Sequence, residues 1–232
     1  MPGPSSESPT ASPVPGRPLL GERFRGYLPV IIDVETGGFD AQRDALLEIA
    51  AVTLRFDADG LLHPEPVIAA AVLPFAGANI EAASLAFTGI NLDDPARQPV
   101  AEHDILARIF HQVRVRMKEE DCKRAILVGH NAPFDMAFLR AAITRNNIKR
   151  DPFHPFSSFD TVSLAGLACG QTVLAKACEA MGIAFSNEEA HSAAYDAERT
   201  AELFCLIVNR WKSLGGWPLA ASVPAPGDDA PG

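Results

Sequence analysis

The 232-residue sequence has few cysteines and no pairing pattern among them. Its four cysteines are far apart in the chain, and no two of them form a C-x-x-C pair. This spacing argues against a disulfide framework and against a zinc site built from cysteine pairs. The cysteines therefore indicate buried thiols in a reducing compartment.

Long apolar runs are also missing. The first twenty residues contain no apolar segment of the kind that forms the centre of a signal peptide. Elsewhere the sequence has no run of about eighteen apolar residues that would span a bilayer. We therefore expect a cytoplasmic protein with no membrane segment.

Positive charge is scarce relative to negative charge. The chain has 20 Lys and Arg against 29 Asp and Glu, which gives a formal net charge of −9. Proteins that coat nucleic acid over a broad surface are usually basic, so this balance argues against such a surface. It leaves room for a local basic strip, and it suits a protein whose bound divalent cations offset several carboxylates.

The apolar content of 47% is enough for one core of about 180–200 residues. Residues 1–21 are rich in Pro, Ser and Gly and have no apolar period, which predicts a disordered tail. Residues 220–232 are rich in Pro and Ala and predict a second tail. A single domain is therefore expected over residues 22–219.

A change of hydrophobic period divides this domain. The first part has β-like runs and a hairpin-type turn at residues 57–60, which indicate a partly antiparallel meander; the runs cover 30–36, 45–56 and 67–73. The second part alternates between types: helices at 79–87, 100–118, 133–145, 161–167, 172–181 and 192–212, a buried strand at 125–129 and a loop at 146–158. This order predicts an α/β sheet covered by helices.

One stretch, Val-Ile-Ile-Asp-Val-Glu-Thr at residues 30–36, carries the most chemical information. Strand alternation places Asp33 and Glu35 on the same side. Two adjacent carboxylates repel each other and resist burial unless they lie in water or bind cations. Oxygen ligands suit Mg²⁺ or Mn²⁺ rather than zinc. A solvated turn explains this pair, taken alone, equally well.

Further acids lie at the starts of two predicted helices. Asp135 follows the buried strand and Asp196 lies in the first turns of the last helix. The helix macrodipole favours either acid when it is considered alone. Together with Asp33 and Glu35, they make a set that could hold about two divalent cations for phosphoryl transfer. His191 precedes Asp196 by five residues and is either a general base or an ordinary loop histidine.

Three segments, taken in order, resemble the motifs of DEDD-type 3′→5′ exonucleases. They are Asp33-Val34-Glu35, GHNAPFD at residues 129–135 and HSAAYD at residues 191–196. The His-x4-Asp spacing of the last segment resembles the histidine-containing branch, and further matching stretches extend the resemblance over residues 24–219. The resemblance implies a ribonuclease-H-like fold, with a mixed β-sheet covered by helices on both faces.

The resemblance also implies roles for individual residues. Two Mg²⁺ per active site, with Mn²⁺ as an alternative, would be held by Asp33, Glu35, Asp135 and Asp196, and the general base would be His191. Phenylalanines that stack on the terminal bases would be Phe39, Phe87, Phe134 and Phe156. A strip that binds nucleic acid would comprise Arg23, Arg25, Lys118, Arg124 and Lys149. The alternatives are core packing for the phenylalanines and a solvated surface for the cations.

The activity implied by this resemblance is that of an exoribonuclease that trims the 3′ ends of tRNA and other structured RNAs and releases 5′-mononucleotides. Such an enzyme would also act on single-stranded DNA 3′ ends. The basic strip of one subunit would face the catalytic centre of the other, which implies a homodimer. One departure is Ala83, where the family pattern leads us to expect a Glu near the bound bases, so fine base preference does not transfer.

Two other interpretations use the same motifs. A DNA polymerase proofreading subunit or an oligoribonuclease would share all three of them. A catalytically inactive scaffold that binds nucleic acid would need no acids, whereas this sequence retains all four and the histidine. The retained acids favour an enzyme over a scaffold.

Overall fold

A computed structural model describes residues 18–218, so most of both predicted tails, residues 1–17 and 219–232, lies outside the described residues. Packing begins earlier than the predicted boundary at residue 22. Leu20 is fully buried in the core, and its backbone N–H donates to Oε2 of Glu120 at 3.1 Å. The N–H of Gly21 donates to the carbonyl of Glu120 at 2.8 Å. The predicted tail boundary is thus corrected, because Leu20 and Gly21 pack against the buried end of a long helix at Glu120.

The strands form one mixed sheet. They are β1 (Tyr27–Thr36), β2 (Leu46–Phe56), β3 (Leu62–Pro64), β4 (Ile68–Ala71), β5 (Arg124–Gly129) and β6 (Phe153–Asp160). Their order is β3-β2-β1-β5-β6, and β4 pairs with β2 beside β3. β2 is antiparallel to β1, β3 and β4, whereas β1, β5 and β6 are parallel to one another.

Helices cover both faces of this sheet. They are α1 (Ala82–Thr88), α2 (Glu102–Glu119), α3 (Ala132–Arg145), α4 (Thr161–Cys169), α5 (Leu174–Met181) and α6 (Ala193–Ser213). α2 and α3 pack on the central strands, and α6 packs on β1, β2 and β3. α4 and α5 pack against α6. Successive residues from Leu28 to Ile32 are buried although they point to alternate sides. The expected ribonuclease-H-like α/β architecture is confirmed.

Strand β6 differs from the sequence prediction, which gives a loop at 146–158 that contains Pro152 and Pro155. β6 lies at the edge of the sheet, where a proline interrupts no pairing on the open side. Most of its residues are partly or fully exposed, and its register with β5 shifts between Ala125 and Leu127. These features remove the regular alternation by which a strand is recognised. The short strand β3 was also not predicted.

The topology separates the two ends of the sheet. Asp33 and Glu35 lie near the end of β1, and Asp135 follows the end of its parallel neighbour β5. At the opposite end, Tyr27 of β1 pairs with Arg124 of β5. The eight residue steps from Tyr27 to Glu35 correspond to about 26 Å of extended strand. Basic residues that precede β1 and β5 therefore lie far from the acids of the same chain.

Among residues 18–218, no single helix is long and apolar enough to cross a membrane. The bent pair formed by α4 and α5 meets that test of length and composition only when the two helices are taken together.

Candidate active site

The four predicted carboxylates meet at one end of β1. Asp33 is partly buried and Glu35 is buried, both on the same side of the strand. Asp135, buried in the first turn of α3, accepts a hydrogen bond from the Val34 N–H through Oδ1 at 3.2 Å. Asp196, in the first turn of α6, is close enough to Asp33 and Glu35 for electrostatic repulsion. The structure thus brings together acids from one strand and two helices that are distant in sequence.

The turn between β5 and α3 explains how Asp135 reaches this position. Asn131 adopts a left-handed conformation with φ of 79° just before the helix. Pro133 lies in the first turn, where a missing N–H has little cost. A Cβ added to Gly129 would lie 2.8 Å from Oδ2 of Asp135 and 2.9 Å from Cα of Ala132. Glycine at position 129 therefore permits the close approach of the carboxylate to the strand end.

The side chain of His130 links the same turn to α4 and to the segment that follows α4. Its Nδ1 lies 3.0 Å from the Thr161 hydroxyl, and its Nε2 lies 3.0 Å from the Thr172 carbonyl. Burial lowers the pKa of His130. The imidazole thus joins the strand end to α4 and to the turn after α4, and these contacts orient the loop.

His191 belongs to the loop before α6 and lies beside the acids. Its backbone has φ of 67°, and its N–H donates to Oδ2 of Asp196 at 3.2 Å. Its ring lies 4.3 Å from the ring of Phe87, centroid to centroid. Glu35, Asp196 and His191 each offer a ligand atom, and these atoms lie within 4.8 Å of one another. The exposed imidazole is therefore within reach of a water molecule held by the carboxylates.

Glu48 is a fifth carboxylate of this group, which the sequence interpretation missed. It lies on β2 directly opposite Glu35, so the two side chains share one face of the sheet. Its Oε2 accepts a hydrogen bond from the Ala193 N–H at 3.3 Å. The available signal was an acid inside a strand whose neighbours Leu47 and Ile49 are apolar and fully buried.

An aromatic cleft of about 330 Å³ adjoins Glu35 and is lined by Phe39, Phe87 and Phe134. Phe39 is 84% exposed and Phe87 is 68% exposed, so neither belongs to the core. Phe134 is partly buried, with its ring centroid 6.1 Å from that of Phe39. Phe156 is also exposed but lies on β6, where it contacts His154, and it is not among the lining residues of this cleft. Three of the four predicted aromatics thus surround one opening beside the acids.

Comparison with known proteins places this arrangement in a family. A family model for exonucleases, RNase_T, matches residues 30–204, which include the acids, His191 and the aromatic cleft. The chain belongs to the RNase_T exonuclease family. The family relationship inferred from the three motifs is therefore confirmed.

Solved structures share the fold of this exonuclease domain. Escherichia coli exonuclease I in complex with a dT13 oligonucleotide is 22% identical, with a TM-score of 0.61, and the match covers 82% of this chain and 43% of that chain. A full-length 3′-exonuclease is 17% identical, with a TM-score of 0.59, and the match covers 79% of this chain and 82% of that chain. The chain thus spans less than half the length of the exonuclease I chain that it matches.

Burial raises the pKa values of the four acids, and mutual repulsion adds to this effect at Asp33 and Glu35. Burial, followed by repulsion from Asp135, Asp196, Glu35 and Glu48, raises the pKa of Asp33 well above its ordinary value. The same causes raise the pKa of Glu35 to about 8. Burial also raises the pKa values of Asp135 and Asp196. Burial and repulsion thus disfavour the charged forms of these acids, and bound cations would offset that cost.

The donor set fits hard divalent cations. All four predicted ligands offer carboxylate oxygens, which Mg²⁺ and Mn²⁺ prefer. Oδ1 of Asp196 is buried and has no hydrogen-bond partner among residues 18–218. A cation beside this oxygen would satisfy it and would relieve the repulsion from Glu35 at the same time.

The predicted basic strip is only partly exposed, and Arg23 requires a correction. Arg23 is 7% exposed, and its guanidinium carbon lies 4.9 Å from the centroid of Phe24 and 4.4 Å from that of Trp217. Burial lowers the pKa of Arg23. Because its guanidinium is stacked between two aromatic rings, Arg23 belongs to the packing of the domain. The exposed members of the strip are Arg25, Lys118, Arg124 and Lys149.

Three cations that were not predicted accompany Arg124. Arg114, Lys123 and Arg150 line one small cavity with it, at the end of the sheet opposite the acids. They come from α2, from the turn before β5 and from the loop before β6. Positive charge is therefore concentrated here in spite of the acidic overall composition.

Proposed function

We propose that this protein is a 3′→5′ exonuclease that hydrolyses phosphodiester bonds with two divalent cations, Mg²⁺ or alternatively Mn²⁺. The observation that carries the proposal is the convergence of Asp33, Glu35, Asp135, Asp196 and His191 beside a cleft of exposed aromatic rings. The family relationship supports a nuclease, and the cleft supports a chain end as the substrate.

Each residue has a defined part in the proposed reaction. The four carboxylates would hold the cations, which when bound activate a water and stabilise the leaving oxygen. His191 takes the proton of the attacking water, since its exposed imidazole adjoins Glu35 and Asp196. Phe39 and Phe87 stack on the terminal bases, a contact that contributes about 1–3 kcal/mol per base for any base.

We propose RNA 3′ ends, including those of tRNA and other structured RNAs, as the substrates. The sequence resembles ribonuclease T beyond the three motifs, at residues 24–26, 44–51, 153–156, 159–161 and 211–219. Single-stranded DNA is the second candidate substrate, because the similar exonuclease I structure holds a dT13 oligonucleotide. In both cases the products would be 5′-mononucleotides.

We also propose a homodimer. Arg124 pairs with Tyr27 at one end of the sheet, about 26 Å along the strand from Glu35 of the same chain. A twofold axis would bring the basic surface of one subunit to the acids of the other and would complete two sites at once. A substrate would then contact both subunits.

Digestion of 5′-labelled oligomers tests the activity and its substrate together. Single-stranded RNA, a tRNA-like hairpin with a 3′ overhang, and single-stranded DNA are incubated with Mg²⁺ or with EDTA. We expect stepwise shortening from the 3′ end with Mg²⁺ only, and faster shortening of RNA than of DNA. Internal cleavage, or shortening that EDTA leaves unchanged, would contradict the proposed reaction.

A further inference from the structure

Glu48 has an unusual position for an acid. Its neighbours Leu47 and Ile49 are fully buried, whereas Glu48 is partly buried and faces a cavity of about 630 Å³ that His191 also lines. Antiparallel pairing sets it opposite Glu35. Glu48 therefore lies between a predicted metal ligand and the loop that carries the predicted base.

The contact of Glu48 with α6 serves as a helix cap. The first N–H groups of a helix have no partner within the helix and need acceptors. Ser192 occupies the N-cap position, but its side chain makes no capping hydrogen bond within residues 18–218. Oε2 of Glu48 instead accepts from the N–H of Ala193, a residue that is 1% exposed. A carboxylate at this end of a helix is also favoured by the macrodipole.

This capping contact fixes the residues that carry the chemistry. Asp196 lies three residues after Ala193, in the same first turn of α6. His191 lies two residues before Ala193 and is tied to Asp196 by its own N–H. The start of α6 is thus a single unit, and the Glu48 carboxylate joins that unit to β2.

An acid in this place carries an electrostatic cost. Glu48 adds to the repulsion on Asp33 and Glu35, so apolar packing alone would favour a neutral residue. Arg97 lines the same cavity and offsets part of this charge, while its guanidinium donates to the Leu47 carbonyl. The capping contact gives a reason for a side chain with an acceptor oxygen at this position.

We infer that Glu48 is a positioning residue, which holds the first turn of α6 against β2 and so places Asp196 and His191 beside Asp33 and Glu35. The expected effect of Glu48 on turnover rests on the proposed exonuclease function. Residues that orient metal ligands in this way typically change metal affinity or activity by about 10–100-fold when they are replaced.

Two substitutions separate the contact from the charge. Glu48→Gln keeps an acceptor oxygen for the Ala193 N–H but removes the charge, whereas Glu48→Ala removes both. For Glu48→Ala we expect kcat to fall about 10–100-fold, KM for the oligonucleotide to stay close to that of the wild type, and Mn²⁺ affinity in calorimetry to fall. For Glu48→Gln we expect kcat near that of the wild type. Amide hydrogen exchange at residues 193–196 should be faster in Glu48→Ala only.

The matched control is Glu198→Ala, which removes another acid lining the same cavity and should leave kcat, KM, Mn²⁺ affinity and amide exchange unchanged. If Glu48→Gln were as impaired as Glu48→Ala, charge rather than contact would be responsible and the inference would fail. Wild-type amide exchange and Mn²⁺ affinity in Glu48→Ala would also overturn it. A wild-type protein without nuclease activity would refute the proposed function instead, while amide exchange and Mn²⁺ affinity would still decide the role of Glu48.

Discussion

At the scale of single residues, repulsion between carboxylates distinguishes the candidate active site. Asp33, Glu35 and Glu48 share one face of two paired strands, and Asp135 and Asp196 approach from helix starts. Without cations to offset their charge, these neighbouring carboxylates destabilise one another's ionised forms. The pKa of Glu35, raised to about 8, follows from burial first and from the neighbouring acids second.

The raised pKa of Glu35 determines how stability depends on pH. In the folded protein the Glu35 carboxyl keeps its proton up to about pH 8, whereas in the unfolded chain it loses the proton near its ordinary pKa of 4.5. The contribution of Glu35 to the free energy of unfolding is therefore fully present below about pH 4.5, and it is lost as the pH rises to about 8. In EDTA, we expect the melting temperature to fall from about pH 5 to about pH 8, more steeply than in Glu35→Gln.

Divalent cations should reverse this loss. Mg²⁺ or Mn²⁺ added at about pH 8 offsets the ionised acids and should raise the melting temperature of the wild type. The same addition should have a smaller effect on Glu35→Gln, which lacks one ligand. Equal pH dependence of wild type and Glu35→Gln in EDTA would show that Glu35 does not titrate in this window.

At the scale of elements, the site is assembled by the ends of strands and the starts of helices. β1 supplies two acids, the turn from β5 into α3 supplies Asp135, and the start of α6 supplies Asp196 with His191 ahead of it. The left-handed backbone conformations at Asn131 and His191 let the two segments turn sharply just before the acids. The loop before α6 thus contributes His191 to the candidate site.

His191 should affect turnover far more than binding. A general base contributes about 10²–10⁴-fold to rate, so we expect His191→Ala to lower kcat within that range. Binding of a 3′-ended oligonucleotide, measured by fluorescence anisotropy in Ca²⁺, should change little. The control is His103→Ala, an exposed histidine on α2 that pairs with Asp104. Loss of binding in His191→Ala with unchanged kcat would assign the ring a substrate contact instead.

At the scale of the whole molecule, charge is distributed unevenly. The formal net charge is −9, yet exposed cations gather at the end of the sheet opposite the acids. A polyanionic substrate is attracted to such a surface. The distance along β1 prevents one subunit from bringing both its basic surface and its acids to the same 3′ end of a substrate. This is the physical reason for proposing a site shared between two subunits.

Mixing two inactive variants tests the shared site. Asp135→Asn lacks an acid but keeps the acceptor for the Val34 N–H, and a triple Arg25→Ala, Lys118→Ala, Arg124→Ala variant lacks basic residues but keeps the acids. After subunit exchange, half of the dimers contain one complete site of two, so about a quarter of wild-type activity should return. A fully active monomer in sedimentation, or no rescue after demonstrated exchange, would refute the shared site.

Local patterns in the sequence determined much of this architecture. Alternation alone places Asp33 and Glu35 on one side of β1, and the spacing of apolar residues locates α2, α3 and α6 within a few residues. The three motifs also identify the family, because ligands at element ends need particular residues at fixed local positions. These features depend on neighbours along the chain, which a sequence shows directly.

Only the tertiary structure decided which distant residues meet. The register of β1 with β2 sets Glu48 opposite Glu35, and packing buries Arg23 between Phe24 and Trp217 rather than in an exposed strip. Pairing with β5 makes a strand of a segment that contains Pro155. Register, burial and edge pairing depend on long-range contacts, and many local sequences are compatible with each of them. For that reason the cap on α6, with its effect on Asp196 and His191, became visible only in the folded chain.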